Sequence, residues 1–200
     1  MNIKELAKEY AIKAHEGQIR KANGKPLIYH PITVAKILEN FGFDDETISA
    51  GYLHDTVEDT KTTIEDIERI FGKRVAKLVY NASEPDGSLS WEERKTHTIN
   101  FIKNKPIDEI AIKLADAIHN VENLTEDLNL QGLSVFNKFN RGMESKIWYF
   151  EGIYNAAIIS NEDHPMLKRL EKAIEGLKKE IENQKELEIK IAVNNILFQQ

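Results

Sequence analysis

An all-α fold is predicted by three observations. Apolar residues recur at helical spacing in one stretch after another, capping signatures with Pro or Gly punctuate those stretches, and no run alternates in the manner of a strand. Two hundred residues with 41% hydrophobic content suffice for one domain with a sizeable core. The chain has no cysteine, which excludes disulfides, thiolate zinc sites and cysteine nucleophiles, so any metal must be held by nitrogen and oxygen. A formal charge of −6, from 27 basic against 33 acidic residues, argues against nucleic acid as the ligand. With neither an apolar leader nor a membrane-length run, the expectation is a cytoplasmic protein without a membrane partner.

Ile3, Leu6, Ala7, Ala11, Ile12 and Ala14 mark a first helix that Gly17 ends, leaving His15 at its C-terminal edge. Residues 17–26 form a basic loop carrying Arg20 and Lys21. Pro31 opens a second helix through Leu38 and sets His30 at its entrance. Asp44 or Asp45 caps a third helix, expected to continue through Leu53 into the polar octet 53–60. Within a helical octet His54 and Glu58 share one face and Asp55 and Asp59 the neighbouring one. Three carboxylates so close repel one another, which points to a metal ion or basic ligand between them.

Thr62 with Glu65 reads as a capping box for a fourth helix, 64–71, followed by a fifth from Val75 to Val79. After a loop over 83–88, Ser90 with Glu93 caps a sixth helix containing Arg94 and Lys95. Pro106 opens a seventh whose apolar stripe is interrupted by Asp116, with Asn120 one turn on. Residues 125–137 read as loop. A long helix is expected from about Phe139 to Ile159, with Trp148, Tyr149, Phe150 and Tyr154 as core aromatics. His164-Pro165 opens the last helix, where Leu167, Leu170, Ile174, Leu177 and Ile181 make a short heptad-like seam. The division is 1–160 as the main helical domain and 161–200 as an amphipathic extension that packs on it or, in a homodimer, on a second subunit.

His30-Pro31, His54-Asp55 with Glu58-Asp59, and Lys113-Leu114-Ala115-Asp116 with His119-Asn120 come from three separate helices. These motifs, with Ala14-His15-Glu16-Gly17-Gln18-Ile19-Arg20-Lys21 before them, resemble the HD-domain phosphohydrolases of the RelA/SpoT type, including the stand-alone alarmone hydrolases similar to the metazoan SpoT homologue. The resemblance covers roughly residues 3–160 and implies an HD-domain helical bundle with an additional C-terminal helix. It implies that His30, His54, Asp55 and Asp116 hold one divalent metal, usually Mn2+. Two imidazoles and two carboxylates suit manganese, and also Fe, Co or Zn. Glu58 and Asp59 would be the acid/base pair, and Arg20, Lys21, Asn120, Arg94 and Lys95 the substrate contacts, with Arg141 and Lys146 as further phosphate-facing candidates.

The implied reaction is hydrolysis of guanosine 3′,5′-bis(diphosphate) to GDP, or of its pentaphosphate to GTP, with release of pyrophosphate. The alternatives are another nucleotide or phosphoester, or a non-catalytic nucleotide-binding module. Two positions depart from the family's pattern. Ala117 stands where a basic residue commonly follows the metal-binding aspartate, and 81–86 replaces a threonine-lysine pair.

Overall fold

The computed structural model describes residues 2–20, 23–84 and 87–197. Ten α-helices make up the described fold: α1 (Ile3–Ala14), α2 (Tyr29–Asn40), α3 (Asp45–Leu53), α4 (Thr56–Asp59), α5 (Ile64–Phe71), α6 (Lys73–Ala82), α7 (Trp91–Ile102), α8 (Ile107–Gln131), α9 (Met143–Asn161) and α10 (Pro165–Leu197). A 3-10 segment, Gly132–Lys138, joins α8 to α9. Among the described residues the only extended pairing is an isolated bridge between Ile19 and Pro26, which pinches the first loop.

Helix α8 is the axis of the molecule and packs against α2, α6, α9 and α10. Ile110, Leu114, Ile118 and Leu128 on it are wholly buried, so the helix is surrounded by neighbours rather than laid on a surface. Its N-terminus follows Pro106, whose missing N–H costs nothing there. Helix α3 is clasped between α1 and α2. The α2–α3 approach is close because Gly51 presents no side chain: a Cβ there would meet Leu38 Cδ1 at 2.6 Å and the Ala35 Cα at 3.2 Å.

Three boundaries differ from the sequence reading. The octet 53–60 does not continue α3 but turns a corner at His54 and Asp55 before α4 begins. Two side chains take backbone carbonyls that a continuing helix would use: the Thr56 hydroxyl donates to Leu53 O (2.6 Å), and His54 Nδ1 lies 2.9 Å from Gly51 O. The capping box of α5 is Thr63 with Asp66, one residue later than expected, while Thr62 instead bonds to Thr60 and Tyr10. Residues 125–131 are the last turns of α8, not loop, because Leu124 and Leu128 continue its buried stripe and Asp127 is held by Asn123 one turn earlier.

Helix α10 is a single helix of 33 residues. Its seam from Leu167 to Ile181 is buried against the core, chiefly on α8. Beyond Ile181 its side chains are partly or fully exposed. No helix among the described residues is long and apolar enough to cross a membrane.

Candidate metal centre and active site

Three elements converge to form the centre. The first turn of α2 brings His30, the α3–α4 corner brings His54 and Asp55, and the middle of α8 brings Asp116. His30 Nε2 lies 3.2 Å from His54 Nε2, 3.1 Å from Asp116 Oδ1 and 3.4 Å from Asp55 Oδ2. His54 Nε2 lies 3.0 Å from Asp55 Oδ1. The corner accounts for this last contact, since residues adjacent in a straight helix point about 100° apart.

The outer ring nitrogens are both engaged. With Nδ1–H donated to Gly51 O, His54 keeps its Nε2 lone pair for the centre. His30 Nδ1 meets His119 Nδ1 at 2.6 Å, with the rings stacked 4.8 Å apart. Two imidazole nitrogens and two carboxylates thus face one another in a partly buried space, which is the donor set of a divalent cation. Burial works to lower the His30 pKa, but the Asp116 and Asp55 carboxylates outweigh it and raise it. Burial works to raise Asp116, yet its hydrogen bond to His30 and the neighbouring cationic groups hold it well below the usual carboxylate range. Burial, with His30 and Arg20 adding to it, pushes His119 down to about 3, so this imidazole is neutral.

Beside the centre opens a cleft of about 570 Å3. Asp55, Asp59, Asp116 and His30 form its acidic end, and Arg20, Lys95 and Lys146 its basic side. Arg20 Nη2 donates to Asn120 Oδ1 (3.1 Å), and Asn120 Nδ2 donates to Asp116 Oδ1 (2.5 Å). This chain of contacts couples the first loop to the centre. Arg20 Nη1 is buried without a protein partner, a donor left for a ligand. The Lys95 ammonium sits 4.5 Å over the Tyr149 ring and pairs with Glu84.

Glu58 and Asp59 separate in space. Asp59 lines the cleft, where burial and then Asp55 raise its pKa. Glu58 turns toward the start of the α6–α7 loop and accepts the Glu84 N–H at 2.7 Å. Although part of the Glu58 side chain reaches solvent, protein atoms around its carboxyl strip enough water to push the pKa up to about 7.

Of the other expected contacts, Arg94 is tied to Glu84 and Arg141 to Glu92, and neither lines the cleft. Lys21 and residues 85–86 lie outside the described residues. Ala117 is buried in the core rather than facing the cleft, so its departure from the family's pattern does not alter the cleft wall. Tyr149 and Phe150, read as core aromatics, are buried yet also form cleft wall. His119 and Gln18 stand in the quoted motifs without a role assigned to them, and Asn123 and Asp127 were not singled out by the sequence. For the last two the signal was present, because Asp116, Asn120, Asn123 and Asp127 recur at spacings of four, three and four along α8.

Comparison with known proteins gives a consistent picture. A family model described as an HD domain matches residues 7–142. The bifunctional (p)ppGpp synthase/hydrolase SpoT of Escherichia coli is 42% identical over 129 residues, which are 61% of this chain and 18% of SpoT. The chain therefore spans about a fifth of the length of that relative. A guanosine-3′,5′-bis(diphosphate) 3′-pyrophosphohydrolase, MESH1, of Danio rerio is 40% identical over 118 residues, covering 58% of this chain and 65% of its own. A solved structure, titled as a metazoan ortholog of SpoT that hydrolyzes ppGpp and plays a role in starvation responses, aligns with a TM-score of 0.70 at 27% identity, covering 88% of this chain and 95% of that one.

Proposed function

The chain belongs to the HD-domain family, and from that premise we propose that it is a metal-dependent, cytoplasmic phosphohydrolase that removes the 3′-diphosphate of guanosine tetra- or pentaphosphate. The observation that carries this reading is the convergence of His30, His54, Asp55 and Asp116 at the acidic end of a cleft whose other side is basic. A reaction on a polyphosphate needs both, one part to polarise the phosphorus and the other to hold the spectator charge.

His30, His54, Asp55 and Asp116 would hold one divalent cation, Mn2+ by its tolerance of mixed nitrogen and carboxylate donors, with Fe, Co or Zn fitting the same set. When bound, the ion supplies Lewis acidity toward the phosphoryl oxygens and toward water. Asp59, in the cleft beside Asp55, takes a proton from the attacking water. A new P–O bond forms at the 3′-diphosphate as the bond to the ribose 3′-oxygen breaks, leaving GDP or GTP and pyrophosphate. Glu58 lies outside the cleft lining, and its raised pKa suits it to relay through water the proton that the leaving 3′-oxygen requires. Arg20, Lys95 and Lys146 neutralise the phosphates, Lys21 is a further substrate contact by the family resemblance, and Asn120 orients Arg20 against the centre.

The test is chromatographic. Incubation with Mn2+ and guanosine tetraphosphate is expected to yield GDP and pyrophosphate in equal amounts, with Asp55→Ala slower by about 100-fold or more. Absence of pyrophosphate, or equal release by Asp55→Ala, refutes the proposal.

A further inference from the structure

Among the described residues, Asp127 is the only carboxylate that is almost wholly buried, at 2% exposure, yet it lines the cleft at the end remote from the metal centre. Among the described residues no cation neutralises it by direct contact. Its oxygens are met by amides alone: Asn123 Nδ2 donates to Oδ2 at 2.7 Å, and a single nitrogen, Asn23 Nδ2, forks to both oxygens at 3.2 Å each. The forked contact is at the long end of hydrogen-bonding distances, and it leaves acceptor capacity on a group with about four lone-pair positions. Burying such a group costs free energy unless its acceptors are used. The arrangement is that of a carboxylate awaiting two parallel donors.

Helix α8 sets where that carboxylate lies. Asp116, Asn120, Asn123 and Asp127 all line the cleft, and at 100° per residue they stay within one narrow face. Eleven residues at ~1.5 Å each place Asp127 about 16 Å along the axis from Asp116. A nucleotide whose 3′-phosphate lies at the centre and whose base points down the helix spans that distance once the metal–phosphate contact at one end and the base–carboxylate contact at the other are added to its own length. Arg20 stands between the two ends, bonded to Asn120 and within electrostatic reach of Asp127, with its buried Nη1–H unpaired.

We infer that Asp127 is the base-specificity residue of the cleft, accepting the N1–H and N2–H donors of guanine while Arg20 Nη1 donates to O6. This rests on the nucleotide reading above and adds to it the choice of base. Guanine presents one acceptor followed by two donors, the complement of a guanidinium N–H beside a carboxylate. Adenine presents a lone pair at N1, which faces the carboxylate without a proton between them, and hypoxanthine lacks the 2-amino donor. The base's two donors replace the forked Asn23 contact, while Asn123 keeps its hold on Oδ2.

The experiment compares guanosine, inosine and adenosine 3′,5′-bis(diphosphates) on the Mn2+-treated chain, with calorimetric binding of GDP and ADP as a second readout. Wild type is expected to prefer guanosine over inosine by about 10-fold and over adenosine by about 100-fold or more in kcat/KM, since a site built for paired donors rejects analogues lacking them. Asp127→Asn, equal in shape, is expected to lose about 30-fold or more on guanosine and almost nothing on adenosine, with GDP binding losing its advantage over ADP. Equal use of the three substrates by wild type, or an unchanged preference in Asp127→Asn, overturns the inference while leaving the hydrolase standing. If no substrate is cleaved, the hydrolase proposal fails separately, and Asp127 is then judged by whether GDP outbinds ADP and whether Asp127→Asn abolishes that difference. If Asp127→Asn fails to fold, equal use of guanosine and inosine by wild type still overturns the inference.

Discussion

Gly51→Ala adds only a methyl group, outside the cleft lining, and should nonetheless weaken the metal centre. The added methyl would lie 2.6 Å from Leu38 Cδ1 and 3.2 Å from the Ala35 Cα. Leu38 is fully buried, so its side chain has little room to retreat, and Ala35 offers backbone, which has less. Overpacking of this kind costs about 1–3 kcal/mol. The gain from replacing a mid-helix glycine returns about 1 kcal/mol. The net loss is up to about 2 kcal/mol, or a fall in melting temperature of up to about 8 °C for a chain of this size.

The same clash separates α3 from α2, the two helices that present His54 and His30 to each other at 3.2 Å. Gly51 O is also the acceptor that orients His54. Loss of such orienting contacts weakens metal binding by about 10-fold or more. Thermal unfolding with and without Mn2+ reads both effects: the apo melting point falls, and the increment conferred by metal shrinks. Gly176→Ala on α10, where nothing lies within 4 Å of the added Cβ, serves as the control and should stabilise by about 0.5–1 kcal/mol. If Gly51→Ala melts at or above the wild type and keeps the full metal increment, close packing of α2 on α3 does not hold the centre.

Arg20→Ala should raise KM by about 10-fold or more in steady-state assays, because it removes both a phosphate-side cation and the partner of Asn120. The folded Glu58 carboxyl titrates near 7, above its ordinary value, so its ionised form is disfavoured by the native state. Any stability that its neutral form confers is therefore present below the ordinary carboxylate range and lost as pH rises through about 7. Glu58→Gln, unable to exchange a proton, should lower kcat and remove the inflection near pH 7 from the rate profile; an identical profile would discount Glu58 as a proton carrier. Leu170→Ala, at a wholly buried position of α10, should cost about 2–5 kcal/mol in denaturant unfolding if that helix belongs to the cooperative core.

Much of this was legible beforehand because it is carried by local pattern. Capping residues such as Ser90 with Glu93, the proline before α8 and the apolar stripes of α8 and α10 each record a local preference in the sequence. That His30, His54, Asp55 and Asp116 belong together was legible only through the motifs that carry the family resemblance, and the packed helices do bring the four side chains into contact. Less accessible were features decided by competition between neighbours. Whether the octet 53–60 stays helical depends on whether Thr56 and His54 side chains take carbonyls from the backbone, a choice that periodicity does not record. The roles of Glu58 and Asp59 looked paired by spacing, but the corner turns one toward Glu84 and the other into the cleft. Long-range partners such as His119 behind His30, or Glu84 shared between Arg94 and Lys95, join residues that only the packed helices bring together.

The most direct measurement is the rate of pyrophosphate release from guanosine tetraphosphate as Mn2+ is added back to chelator-treated protein. The account predicts negligible release before addition, a rise that levels off at one equivalent per chain, and no recovery at any equivalence in Asp116→Ala. Full activity after thorough chelation, or recovery by Asp116→Ala equal to that of wild type, would contradict it.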